Sequence, residues 1–114
     1  MKPFEIYSYQ PDSWPEPHPC VIVSHPDRAD RKNPVEVAMC SSKKATRAAQ
    51  EHEVVLDQAD GLDWPTLCKC DLIYAIPKEE IKNRRGEVSP ARRQLLVRKI
   101  IAAHGWGKIL TGED

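Results

Sequence analysis

The stretch Leu67-Cys68-Lys69-Cys70-Asp71-Leu72-Ile73-Tyr74 holds the residues best suited to chemistry. Read as a strand, its side chains alternate between faces, so Lys69 and Asp71 share one face and Cys68, Cys70 and Leu72 the other. An ammonium and a carboxylate two residues apart are costly on a buried face, which makes that face open to water or to a ligand. Two readings compete: an exposed surface ion pair, or a phosphate site. In the second, Lys69 neutralises a phosphoryl oxygen while Asp71 moves a proton.

Two further segments supply groups that could converge there. His18 precedes the apolar run Cys20-Val21-Ile22-Val23-Ser24, and imidazole is the side chain best matched to proton transfer near neutral pH. Ser41 and Ser42 end the alternating run Val35–Cys40, where a hydroxyl can bind phosphate or simply close a turn. The cysteines raise a metal alternative. Cys68-x-Cys70 lacks the C-x2-C spacing of a zinc knuckle, no second pair follows, and Cys20 and Cys40 lie inside strand patterns. Packed core thiols are the favoured reading, and no metal or cofactor is expected. Phosphate-loop, dinucleotide, nucleophile-elbow and HExxH patterns are all missing from the sequence.

The elements that must position these groups are short. Five of ten prolines crowd the first nineteen residues, so Gln10 to Pro17 reads as a stiff loop after a strand over Phe4–Tyr9. Strands follow over Cys20–Ser24, Val35–Cys40, Glu51–Leu56 and Thr66–Ile76. His25 to Pro34 reads as a loop and Asp57 to Pro65 as an acidic loop around Gly61. Ser42 to Gln50 is either a short helix or a flexible loop. Pro77 to Asn83 reads as a helix of one or two turns. Ser89 and Pro90 open a helix through His104, with Leu96, Val97, Ile100, Ile101 and His104 on one face and Gly105 at its end. Five strands without βαβ spacing and one terminal helix predict a mainly β, α+β fold: a small SH3-like antiparallel barrel with a C-terminal helix. One domain spans residues 1–114, its core about 4–104, with a loose tail over 107–114.

The 114 residues carry 17 basic and 17 acidic side chains, which excludes a protein that grips nucleic acid by bulk charge. The charges are segregated nonetheless. Arg28 to Arg47 is basic, Glu51 to Asp63 acidic, and Lys78 to Lys99 basic again. A basic patch could hold a short single strand or an acidic peptide; the plainer reading is a solvated face. The apolar runs are too short for a bilayer span and Met1 to Glu5 does not read as a signal peptide, so a cytoplasmic protein with reduced thiols and no membrane partner is expected.

Four stretches together resemble the PemK/MazF family of toxin–antitoxin ribonucleases. They are His18-Pro19 with the strand after it, Val37-Ala38-Met39-Cys40-Ser41-Ser42, the turn Gly61-Leu62-Asp63-Trp64-Pro65-Thr66, and Lys69-Cys70-Asp71. The family carries Arg where His18 stands, Arg where Lys69 stands and Thr where Ser41 stands. The resemblance implies a homodimer that cleaves single-stranded RNA at short sequence motifs without a metal, and that is neutralised by an antitoxin with a partly disordered, often acidic tail. It also implies site roles: Asp71 as base for the 2′-hydroxyl, Lys69 as charge stabiliser, His18 as acid and Ser41 as phosphate hydrogen-bond donor. Two rival readings stand beside it. One is a non-catalytic barrel that binds nucleic acid or protein, including a topoisomerase poison like the related CcdB branch. The other is a small zinc protein.

Overall fold

The computed structural model describes residues 1–112. Strands run over Glu5–Tyr9 (β1), His18–Ile22 (β2), Val35–Cys40 (β3), Glu53–Leu56 (β4), Thr66–Ile76 (β5) and Ile81–Glu87 (β6). Helices cover Pro26–Arg31 (α1), Pro90–Ala103 (α2) and Trp106–Thr111 (α3). All strands join one antiparallel sheet in the order β4-β5-β3-β2-β1-β6. The mainly β expectation holds, but the predicted barrel does not close, because β4 and β6 are the two ends of the sheet and do not pair. They still approach one another. A Cβ on Gly86 of β6 would lie 2.1 Å from the carbonyl oxygen of Asp60, just beyond β4, so only glycine fits there.

The central strands are buried on both faces, which explains their continuous apolar runs. Ile6, Val21, Ala38, Cys40, Cys68 and Cys70 join Leu96 of α2 in one cluster. Cys20, Ile22, Val37, Met39 and Ile76 form a second cluster, with Trp14 and Tyr9 packed against it. All four thiols are free and buried. Burial pushes the Cys20 thiol up to about 12, as it must for a thiolate with no water around it. Among the described residues no helix is long and apolar enough to cross a membrane, and no three His, Cys, Asp or Glu side chains are placed to share a metal ion.

Several local expectations change. Pro77–Asn83 is not a helix: a single 3-10 turn at Lys78–Glu80 leads into β6. That strand is nearly apolar-free and exists because β1 supplies its hydrogen-bond partners. Residues 26–31, read as loop, form α1, which Pro26 starts and the His25 side chain caps by accepting from Asp27 N–H. Of the two readings of residues 42–50, the structure shows the loop. The tail read as loose folds into α3 up to Thr111, with Trp106 stacked 4.7 Å from His104; residues 113 and 114 lie outside the described residues. The α2 start is also built differently. Ser89 makes no side-chain cap; the buried Asp60 instead accepts its N–H at 2.8 Å and an Arg92 N–H at 2.6 Å.

Candidate active site

A groove of about 420 Å³ opens at the β2–β3–β5 end of the sheet. Trp14, His18, Met39, Cys40, Ser41, Ser42, Lys43, Lys69, Leu72 and Tyr74 line it. Three of the four residues singled out in the sequence, His18, Ser41 and Lys69, thus come together. The fourth, Asp71, does not line the groove.

The reason is a register slip. Ala38 faces Ile73 across β3 and β5, but Cys40 faces Cys68, so β5 carries extra residues between these pairs. Strict alternation fails there. Leu72 and Tyr74 join Lys69 on the groove side, while Ile73 packs with Cys68 and Cys70. Asp71 sits within the irregular stretch, exposed, with its carboxylate 3.9 Å from His52 Nε2. Lys69 therefore lines the groove, while Asp71 stands just outside its lining, beside His52.

His18 opens β2, and its Nδ1 lies 3.0 Å from the Cys40 carbonyl oxygen. A carbonyl only accepts, so Nδ1 carries the hydrogen and donates it, and Nε2 is left to exchange a proton. The indole of Trp14 packs 4.4 Å from the imidazole, centroid to centroid. Ring and tautomer are both fixed before any ligand arrives.

Lys69 is held by a residue the sequence reading passed over. It forms an ion pair with Glu53, whose side chain is 0% exposed and lies directly across the β4–β5 ladder. Arg47 grips the same carboxylate with two N–H groups at 2.6 and 2.8 Å, and the Gln50 N–H adds a third at 2.9 Å. Hydrogen bonds from Arg47, then those from Lys69 and Gln50, outweigh burial and hold the Glu53 carboxyl well below the usual carboxylate range. One fixed anion thus anchors two half-exposed cations, so the cluster keeps one net positive charge. The signal available in the sequence was a single carboxylate opening the apolar run Val54-Val55-Leu56.

Ser41 faces the groove, but its hydroxyl is fully engaged. Thr66 Oγ1 donates to the Ser41 carbonyl at 2.6 Å, and the two hydroxyls lie 2.7 Å apart. The Ser41 hydroxyl oxygen accepts the Leu67 N–H at 3.0 Å. In this arrangement the Ser41 hydroxyl ties β3 to β5 at the edge of the groove. Ser42 is spent likewise, donating to Glu16 at 2.8 Å and pinning the proline-rich loop to the end of β3.

Several cations of the basic run at the C-terminal end are engaged within the fold. Arg92 binds Asp57 and Asp60, Arg84 binds Glu5, Arg93 lies over the Phe4 ring and bonds the Val88 carbonyl, and Lys78 and Lys99 bond backbone carbonyls.

The fold has parallels among solved structures. The fold is similar to the Mycobacterium tuberculosis toxin MazF-mt6, with a TM-score of 0.75 and 23% identity over 89% of this chain and 96% of that one. It is also similar to an endoribonuclease in complex with its cognate antitoxin from a mycobacterial species, with a TM-score of 0.78 and 22% identity over 92% and 95% of the two chains. A further mycobacterial endoribonuclease matches with a TM-score of 0.76 at 22% identity, over 92% of this chain and 91% of that one. At these identities the likeness establishes the fold. No curated protein matches by sequence. The family model does match, over residues 2–104, a span that takes in every strand, the groove and α2. The chain therefore belongs to the family of PemK-like, MazF-like toxins of type II toxin–antitoxin systems.

Proposed function

We propose that this chain is the toxin of a toxin–antitoxin pair and that it cleaves single-stranded RNA, with the chemistry carried by its own side chains. Family membership supports the toxin role, and the names of its structural neighbours, endoribonucleases among them, support the reaction. The observation that carries the reading is the groove itself: an imidazole with one free, tautomer-fixed nitrogen and an anchored ammonium open onto the same space.

The step follows from these groups. Nε2 of His18 takes the proton of a 2′-hydroxyl as that oxygen attacks the adjacent phosphorus. The 2′-O–P bond forms, and Lys69 stabilises the charge that builds on the phosphoryl oxygens. The P–O5′ bond then breaks, and the leaving oxygen takes the proton back from His18. The products are a cyclic phosphate and a 5′-hydroxyl. Asp71 has no part in the step. The protein acts as a homodimer in the cytoplasm, and an antitoxin segment with acidic residues occupies the groove when the pair is silent.

The test is incubation of the purified protein with mixed RNA in excess chelator, followed by mapping of the fragment ends. Fragments with cyclic phosphate and 5′-hydroxyl ends are expected. A folded protein that leaves the RNA intact at high concentration refutes the reading. In that case a non-catalytic binding module on the same fold takes its place, a rival favoured by a groove lining that holds no carboxylate.

A further inference from the structure

The cationic part of the groove accounts for a phosphate, but most of its wall is apolar. On one side stands Trp14. Its indole packs against the second apolar cluster, edge-on to Tyr9 at 5.7 Å, and its backbone N–H bonds the Pro11 carbonyl at 2.9 Å. The loop that carries it is tied to β3 through Glu16 and Ser42. This is a preformed surface. On the other side stand Leu72 and Tyr74, 54% and 41% exposed, on the stretch of β5 that the register slip turns towards the groove. Large apolar side chains left open to water beside fixed cations mark a site for a ligand that is itself half apolar and half anionic.

We infer that the space between Trp14 and the Leu72–Tyr74 wall is a nucleobase subsite, which takes the base next to the phosphate held by Lys69 and reads it by stacking. The inference rests on the ribonuclease reading of the same groove and adds to it the part of the substrate recognised. A base is flat, about the size of an indole, and covalently tied to an anion at a fixed distance; an apolar peptide side chain lacks that anion. Of the side chains along this wall, Trp14, Leu72 and Tyr74, none offers a fork of donors and acceptors to a base edge, so discrimination comes from stacking area and favours a purine over a pyrimidine. The register slip gains a purpose by this reading: it removes a carboxylate from the groove and puts an aromatic ring in.

Short deoxyribonucleotides test this directly, because they lack the 2′-hydroxyl and so bind without being cut. In a Trp64→Phe, Trp106→Phe background, Trp14 is the sole indole, and neither replaced residue lines the groove. Titration with dye-free oligo-dA is expected to quench its fluorescence saturably. By anisotropy of a labelled oligonucleotide, dA should bind several-fold tighter than dT, and Trp14→Leu should weaken dA binding about 10-fold, within the range of one stacked base. Tyr74→Leu should do the same from the opposite wall and stands in if Trp14→Leu disturbs the loop. Equal affinities for dA and dT, together with unchanged binding by both variants, overturn the inference. The two readings fail separately. Quenching with no RNA cleavage removes the nuclease and keeps the subsite. Cleavage with KM and flanking-base preference unchanged in both variants keeps the nuclease and removes the subsite.

Discussion

Among the described residues two carboxylates are fully buried, and the fold uses them in opposite ways. Asp60 accepts from the Asp57 and Ser89 backbone N–H groups and shares Arg92 with Asp57. Two acids enclose one base, the set carries a net negative charge, and Arg92 is only 29% exposed. Its product is mechanical: it fastens the start of α2 to the end of β4. Glu53 is one acid between two bases, and its cations are 45% and 35% exposed. Both carboxylates are shut off from water, but here the surplus charge is positive and reaches solvent. A buried carboxylate thus becomes functional when its partners exceed it in number and reach outwards.

The sharpest way to break this contrast is to remove outward-facing groups at the groove and nothing else. His18→Ala should lower the rate of RNA cleavage about 10²- to 10⁴-fold, the range for loss of a proton-transfer group. Lys69→Met, which keeps the stem and removes the charge, should cost about 10²-fold. Both should leave the circular dichroism spectrum intact. The counterpart on the other side is Arg92→Met, which should lower the unfolding midpoint with kcat unchanged. If Arg92→Met were the variant that lost turnover, the division between a working cluster and a mechanical one would be wrong.

The next effects concern stability. Asp60→Ala leaves two backbone N–H groups without their acceptor, takes from Arg92 one of its two carboxylates, and should cost about 3 kcal/mol in urea unfolding. Glu53→Gln should cost less, about 2 kcal/mol, because water screens its half-exposed cations. It should also lower cleavage, through a Lys69 no longer held in place. Glu53 should also make stability depend on pH. The Glu53 carboxyl lies below its ordinary value of 4.5 in the folded protein, chiefly through Arg47. Its contribution is therefore complete above that ordinary value and is lost as pH falls below it towards the folded value. Unfolding free energy should accordingly drop between about pH 5 and pH 3 in the wild type. The Glu53→Gln variant should show a shallower drop, and an unchanged slope would show that the charge of Glu53 does not matter to folding.

What could be read from sequence divides along the same line. Apolar runs are local, so β1 to β5 were legible, as was α2 with Pro90 at its first position. β6 was not, since Ile81-Lys82-Asn83-Arg84-Arg85-Gly86-Glu87 has no alternation of its own and takes its form from β1. His18, Ser41 and Lys69 were recognised by type and do line one groove, because each lies on or beside a strand that was also recognised. Asp71 was misplaced by period-two reasoning, which cannot detect a slip set by pairing with another strand. Glu53, Arg47 and Asp60 were counted as members of charge runs. Their roles depend on which residue stands across a ladder or at the start of a helix, and no local pattern encodes that.

Asp71→Asn is the smallest change and discriminates well, because the linear sequence and the fold predict different results for it. Two positions from Lys69 on a regular strand, its carboxylate would face the same phosphate, and its loss would cost orders of magnitude in rate. In the fold it is exposed, outside the groove lining, and 3.9 Å from an imidazole that is itself on the surface. Exposed pairs of this kind contribute well under 1 kcal/mol, so kcat/KM and stability should both stay within about two-fold of wild type, as measured by steady-state cleavage and urea unfolding. A large loss of kcat with an unchanged unfolding curve would mean that β5 regains its regular register when RNA binds, swinging Asp71 into the groove and Tyr74 out of it. The same experiment would then count against the base subsite, because the two side chains cannot both occupy the groove face of one strand that alternates.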